Sequence, residues 1–341
     1  MPTDTVVLDS VTSALSHDVG TLSPGELVVV REGPARRRSS LYFLGLAGSP
    51  VTCRWVLKCP NSESQQEDLR SPLSALGQFE ALQRLHGHLR QSGASVSTPR
   101  PVAYLPELGA YLMEYVQGPT VTALITPRAV VNSTDLLRAV TGSAQVLRAV
   151  HSLELAEAEV LDVQDLSRHT GLRGRQLLES VGLPVRDRWF VPGDHRSVTT
   201  ARRVVLHGDF APENVVQSPS GFCCLEPDLT ERGWAEHDVV RFLLMLVDAP
   251  LFVVGAGLPP VRDLRRTAAA TFLDGYYGDG HRPEALQPLM IESLAARWHT
   301  RHTDLARRSP RLRRTRAILL RRHFGRLLDE VSSPDWLAAR R

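Results

Sequence analysis

Lysine is almost missing from this 341-residue chain: of 40 basic residues only Lys58 is a lysine, and the rest are arginine. Such a bias tracks base composition more than chemistry, so what matters is where the one lysine stands. Cysteine is also scarce. Cys53, Cys59, Cys223 and Cys224 form no C-x-x-C pair and no Cys/His cluster at zinc spacing, which excludes a zinc module and a disulfide scaffold. Cys223 and Cys224 are adjacent and would face opposite sides of a strand, so reduced thiols are expected. No apolar run approaches the roughly 20 residues of a membrane span. Met1–Gly20 has no basic stretch leading into an apolar core, which predicts a cytoplasmic protein without a secretory leader. Internal repeats and low-complexity tracts are lacking as well.

What is present fits a globular protein of two lobes. Apolar residues make up 43% and charged residues 23%. The net charge of +3 hides an asymmetry: residues 301–341 carry 12 arginines against Asp304, Asp329, Glu330 and Asp335, a surplus of eight. The remaining 300 residues are therefore acidic by five. Ala317, Leu319, Leu320, Phe324, Leu327 and Leu328 recur at helical spacing, so the tail reads as a folded basic helix. It is either a solvated face or a surface for an acidic partner. Without aromatic interleaving it argues against nucleic acid.

Along the chain, Val6–Ser16 reads as a short helix. Strand patterns follow at Leu27–Val30, Leu41–Leu44 and Trp55–Leu57. The loop between the first two, Glu32–Ser40, has one glycine and three arginines (Arg36, Arg37, Arg38), so it is not a G-x-G-x-x-G phosphate loop. Phe79, Leu82, Leu85 and Leu89 predict a helix over 78–90. Two more strands fall around Val102–Tyr104 and Tyr111–Tyr115. Beyond Gly118-Pro119 the pattern turns helical: 136–153, 162–178, 238–247, 262–276, 288–298 and 311–328. A β-rich island, Val204–Leu225, interrupts it. The expected fold class is α+β and bilobal. Residues 1–116 form an N-terminal lobe with a five-stranded antiparallel sheet and one main helix. Residues 117–341 form a mostly helical lobe with a small β island.

The island holds His207-Gly208-Asp209 and, five residues after Asp209, Asn214. Phosphoryl transfer needs a carboxylate to orient an attacking hydroxyl and accept its proton. It also needs a carboxamide oxygen to hold a metal ion on the nucleotide side. Asp209 and Asn214 have the residue types and spacing for those roles; an Asx-rich turn has the same look. Glu226-Pro227-Asp228 ends the next strand, where further metal-ligating carboxylates would lie. Asp238 is placed to cap the helix that follows or to brace the loop.

His207-Gly208-Asp209 with Asn214 resembles the H-G-D-x-x-x-x-N loop of the aminoglycoside phosphotransferase and choline kinase-like family, which has a protein-kinase-like fold. Leu57-Lys58 resembles its third strand, Phe79-Glu80-Ala81-Leu82 its lysine-partner helix, and Met113-Glu114-Tyr115-Val116 with Gly118 its hinge. Together they cover about residues 26–248. The resemblance implies that Lys58 binds nucleotide phosphates and is held by Glu80. It implies that Met113, Glu114 and Val116 hold adenine, with Ser39 and Ser40 at the end of the first loop as further nucleotide contacts. Asp209 is implied as catalytic base, with His207 and Lys58 beside it, and Asn214 as a Mg²⁺ ligand. The family's second metal position normally carries Asp. Here it carries Glu226, so Glu226 or Asp228 supplies that ligand, or transfer is impaired.

The expected function is phosphotransfer from ATP or GTP, with Mg²⁺, to a hydroxyl of a small molecule or natural product, or of a Ser/Thr in a peptide precursor. The alternative is a kinase-like binding module acting through its basic surface.

Overall fold

The computed structural model describes residues 4–19, 26–33, 39–48, 52–60, 74–93, 95–190, 198–278, 282–306, 310–333 and 336. Arg36, Arg37 and Arg38 lie outside them. Contacts divide the chain into two compact units, Met1–Gly118 with Val215–Glu231, and Pro119–Asn214 with Arg232–Arg341.

The first unit begins with helix α1 (Asp4–Val19). Its main sheet has five antiparallel strands in the order β1-β2-β3-β6-β5: β1 (Leu27–Glu32), β2 (Ser39–Leu46), β3 (Cys53–Pro60), β5 (Pro101–Leu105) and β6 (Ala110–Glu114). Alternation along the strands sorts the faces. Trp55 and Leu57 of β3 and Ala110 and Leu112 of β6 join Val7, Val11 and Leu15 of α1 in one apolar cluster. Tyr111 and Met113 point to the other face and meet Phe79 and Leu82 of helix α2 (Ala75–Ser92). Ser74 caps α2 by accepting from the Gly77 amide at 3.0 Å, and Gly93 ends it with φ 62°. The expected five-stranded antiparallel sheet with its main helix is present.

A smaller sheet in this unit joins β4 (Val96–Ser97), β10 (Gly221–Cys224) and β9 (Val215–Ser218) in that order. Thr98 Oγ1 donates to the Cys224 carbonyl at 2.9 Å and fixes the end of β10. Gly118 lies so near the Gln217 carbonyl oxygen that a Cβ there would sit 2.0 Å from it. With φ 144° as well, the position admits only glycine.

The second unit is mostly helical. It contains α3 (Val121–Leu124), α4 (Pro127–Val131), α5 (Thr134–His151), α6 (Val163–Glu179), α7 (Glu236–Val247), α8 (Pro250–Val254), α9 (Pro259–Tyr277), α10 (Leu286–Ala306) and α11 (Pro310–Val331). A three-stranded sheet, β11-β8-β7, is made by β7 (Glu157–Asp162), β8 (Val198–Val205) and β11 (Arg232–Trp234). The expected β island is therefore not one sheet: β8 pairs with β7 and β11, and β9 and β10 pair with β4. The strands part at the Pro212–Asn214 turn, which falls between them. Local periodicity marks the strands but not their distant partners.

An aromatic column runs through the second unit. Phe210 packs on Phe242 with ring centroids 5.4 Å apart, Phe242 stacks on Phe272 at 4.1 Å, and Phe272 on Tyr276 at 6.5 Å. The three phenylalanines are fully buried, each contributing about 1.5–3 kcal/mol by removal from water. They tie the loop carrying Asp209 to α7 and α9. The basic C-terminal stretch is folded, with Phe324, Leu327, Leu328 and Val331 of α11 buried and Arg314, Arg316, Arg321 and Arg322 exposed. No described helix is long and apolar enough to cross a membrane.

Candidate functional site

In the first unit Lys58 lies on the α2 face of the sheet, beside Tyr111. Lys58 stands opposite Tyr111 in the β3–β6 register, its Nζ 6.0 Å from the Tyr111 ring centroid. Its side chain is 7% exposed, so the ammonium needs an anionic partner. That partner is Glu226, whose Oε1 lies 3.3 Å from Nζ. Glu226 holds φ at 52°, the left-handed region that costs a side-chain-bearing residue about 1–2 kcal/mol. Strain of this kind persists only where the surroundings impose it. Here the backbone after β10 turns so that the carboxylate reaches the lysine.

Glu80 is not brought to Lys58. It is exposed on α2, because a helix turns by about 100° per residue and Glu80 lies opposite Phe79, Leu82, Leu85 and Leu89. The side chain that faces the sheet is Gln78, whose Oε1 accepts from the Tyr111 hydroxyl at 3.4 Å. The carboxylate beside Lys58 in the structure is that of Glu226.

At the end of β6, the Glu114 amide donates to the Arg100 carbonyl at 2.9 Å and the Tyr115 amide to the Arg54 carbonyl at 2.7 Å. These bonds hold Met113 to Val116 extended past the strand. The Val116 amide has no partner among the described residues, so it can serve a ligand. Ser39 is buried opposite Pro60, and Ser40 lies half-buried opposite Cys59. Asp228 Oδ1 accepts from the Thr230 hydroxyl at 2.6 Å. Among the described residues no three His, Cys, Asp or Glu side chains cluster as a ready-made metal site.

The second unit carries the catalytic-loop half. Asp238 does not cap α7, which begins at Glu236. Its carboxylate instead faces the loop, with Oδ2 accepting from the His207 amide at 2.6 Å and Oδ1 from the Gly208 amide at 3.2 Å. Gly208 has φ 84°, which lets successive amides converge on one carboxylate. His151, buried at the end of α5, places Nε2 at 3.0 Å from Asp238 Oδ2 and Nδ1 at 2.6 Å from the Tyr276 hydroxyl. With Nε2–H donating to the carboxylate, Nδ1 accepts from the phenol. Burial pushes the Tyr276 phenol well above its ordinary value, so it keeps its proton. For Asp238, burial pushes upward, but the hydrogen bonds from the His151 ring and the His207 amide prevail and hold it below the usual carboxylate range.

His207 is fully buried, its ring edge-on to Phe210 at 5.3 Å between centroids. Its Nδ1 faces the Asp209 amide at 3.3 Å. A side chain so enclosed packs beneath the loop backbone at Asp209. Asp209 itself is exposed, and Arg241, one turn along α7 from Asp238, donates to its Oδ1 at 2.6 Å. Asn214 is 4% exposed, and its Nδ2 donates to the Asp209 carbonyl at 2.8 Å. That bond directs its Oδ1 away from the loop backbone, the orientation a cation ligand needs. His151, Tyr276 and Arg241 were missed in the sequence, where only the spacing of Arg241 from Asp238 offered a signal.

The model of the phosphotransferase enzyme family (APH) matches residues 34–286. No curated protein matches the sequence. Several solved structures share the fold at low identity. A glucosamine kinase is 17% identical, with 97% of this chain and 88% of that chain covered and a TM-score of 0.52. The amicoumacin kinase hAmiN, in complex with AMP-PNP, Ca²⁺ and Ami, is 14% identical over 98% of this chain and 96% of that one, with a TM-score of 0.52. A thermostable mutant of aminoglycoside phosphotransferase APH(4)-Ia, in ternary complex with AMP-PNP and hygromycin B, is 13% identical over 95% and 99%, with a TM-score of 0.50.

Proposed function

We propose, from the premise that this chain belongs to the phosphotransferase enzyme family, that it transfers the γ-phosphate of ATP or GTP to a hydroxyl group of a small molecule. The carrying observation is the catalytic loop. Asp209 stands exposed on a backbone pinned by the buried Asp238, with Asn214 bound to its carbonyl.

Asp209 is the general base. Arg241 occupies Oδ1, and Oδ2 is left to accept the hydrogen bond of the acceptor hydroxyl and then its proton. Arg241 holds the carboxylate in place. Lys58 meets the nucleotide phosphates as a point charge, and the Val116 amide meets the base edge. A divalent metal, when bound, draws charge from the transferring phosphate. The residues fit one: the Asn214 carboxamide oxygen is turned from the loop, and Glu226 and Asp228 are oxygen donors of the hard type Mg²⁺ prefers. Asn214, Glu226 and Asp228 would hold the metal, and Glu226 is also the carboxylate beside Lys58.

The acceptor class is a hydroxyl compound of the kind the structurally similar kinases are named for, an amino sugar or a natural product. A second reading, a kinase-like binding module, is favoured by the tight Lys58–Glu226 pair, which occupies the lysine in the free protein. One experiment separates them. Transfer from labelled ATP with Mg²⁺ is measured across a panel of hydroxyl compounds for wild type and Asp209→Asn. Labelled product from wild type that falls about 100-fold or more in the variant, with unchanged melting, supports the base assignment. Equal rates would sink it, and no product from either, with Glu226→Asp gaining transfer, would support the binding module.

A further inference from the structure

A cavity of about 780 Å³ lies in the helical unit between α9, α11 and the turn after α8. Its size is that of a small-molecule site. Arg262, Arg265, Arg266, Arg282 and Arg326 line it, with His323. Only two carboxylates, Asp329 and Glu330, line it with them. Both are already engaged. Glu330 is shared by Arg265 at 2.6 Å and Arg266 at 3.0 Å. Asp329 takes Arg186 at 3.0 Å, Arg188 at 2.6 Å and the Trp189 indole at 2.7 Å. Arg326 donates to the Ala256 carbonyl and has no carboxylate partner among the described residues. The wall thus keeps a positive surplus.

It also keeps buried donors without acceptors. The Arg282 side chain is 5% exposed; one Nη pairs with Asp274 at 2.9 Å, and its Nε–H has no partner. His323 is fully buried, and neither ring nitrogen makes a hydrogen bond of good geometry, the Val247 and Phe252 carbonyls being only nearby acceptors. Buried polar groups left unpaired are costly, and these atoms lie behind the accessible wall, so the arginines that face the cavity are the groups that would meet a ligand. Burial presses the Arg265 guanidinium below its ordinary value; Glu330 opposes this, and Arg266 and Arg262 add to it. An added anion would ease that crowding of like charge. Leu273 and Trp336 supply an apolar wall.

The cavity is distinct from the catalytic loop. His323 lies within the field of Asp248, which ends α7, whereas Asp238 is in the first turn of that helix. Ten helical residues separate the two, about 15 Å along the axis.

We propose that this cavity binds a small organic anion carrying at least two negative charges, a phosphate monoester or a di- or tricarboxylate, held by Arg266, Arg282 and Arg326. The site takes its ligand independently of phosphotransfer.

The test is titration calorimetry of the full chain with citrate and with glycerol 3-phosphate at fixed ionic strength, chloride and glycerol serving as controls. Saturable binding of either anion is expected. It should weaken about tenfold or more in Arg326→Glu and in Arg266→Glu, an effect the size of one lost ionic contact. The exposed Arg316→Glu should leave it unchanged, and so should Asp209→Asn. Heat no greater than that of chloride, or binding indifferent to Arg326 and Arg266, would overturn the proposal. Capture of an acidic peptide with no binding of either small anion would overturn it too, in favour of a macromolecular partner. The cavity substitutions lie on partly exposed side chains, so melting temperature within a few degrees of wild type marks a folded variant. Arg326→Gln repeats the test with a milder change.

Discussion

In the helical unit the Asp238 carboxylate receives two backbone amides and an imidazole, and its neighbours His151 and Tyr276 continue the chain of hydrogen bonds. In the sheet unit Glu226 meets Lys58 from a left-handed backbone. Both carboxylates neutralise or organise groups that would be costly to bury alone. The first is a buried scaffold. The second, under the proposed function, is the contact that nucleotide phosphates would compete with. Pre-organised donors and acceptors speed the chemical step because they need no rearrangement at the moment of reaction. A partner that can be exchanged suits the proposed nucleotide side, where the proposed function has Lys58 pass from carboxylate to phosphate.

The largest break in this comparison is Asp238→Ala. It leaves two loop amides and His151 unpaired in a buried place and should lower unfolding free energy by about 3–5 kcal/mol, read from the urea midpoint at constant m-value. A loss under about 1 kcal/mol would show that the loop holds its own shape. Glu226→Ala comes next. It strands the 7%-exposed Lys58, but Glu226 is 23% exposed and water can enter, so the loss should be nearer 2 kcal/mol.

Acid sharpens the contrast between buried groups. Burial, with Arg265 behind it, lowers His323 to about 4. An unfolded histidine titrates near 6.5, so as pH falls the unfolded chain takes the proton first. Stability from the neutral ring is complete above about 6.5 and drains away down to about 4. Asp238 is depressed in the folded state, so its share is present above about 4 and is lost only below it. The expected slope between those values is about 1.4 kcal/mol per pH unit at most. His323→Leu should flatten it, and an unchanged slope would assign it elsewhere. The smallest effect isolates strain: Glu226→Gly should be more stable than Glu226→Ala by about 1 kcal/mol, because glycine adopts φ 52° without penalty. Equal melting would mean that the turn relaxes.

The fold was legible because its elements carry their own periods. Leu41–Leu44 and Trp55–Leu57 alternate as strands, and Phe79, Leu82 and Leu85 mark the buried face of α2. Asp209 and Asn214 were legible from spacing alone, and the structure joins them through one hydrogen bond. What stayed hidden depends on partners far along the chain. His151 meets Asp238 across 87 residues and Tyr276 across 125. Lys58 pairs with Glu226, while Glu80, to which the resemblance pointed, lies on the exposed face of α2 opposite Phe79 and Leu82. The arginine tail read as surface, yet Arg265, Arg282 and His323 show that part of the unit's basic character is buried.

The most direct test of the exchangeable lysine is thermal melting of wild type and Lys58→Met with ATP, alone and with Mg²⁺. Ligand at 100 times its dissociation constant adds about 2.7 kcal/mol. The expected result is a shift in wild type that grows with Mg²⁺ and disappears in Lys58→Met. A wild-type shift indifferent to both Mg²⁺ and the substitution would contradict the exchange of Glu226 for phosphate.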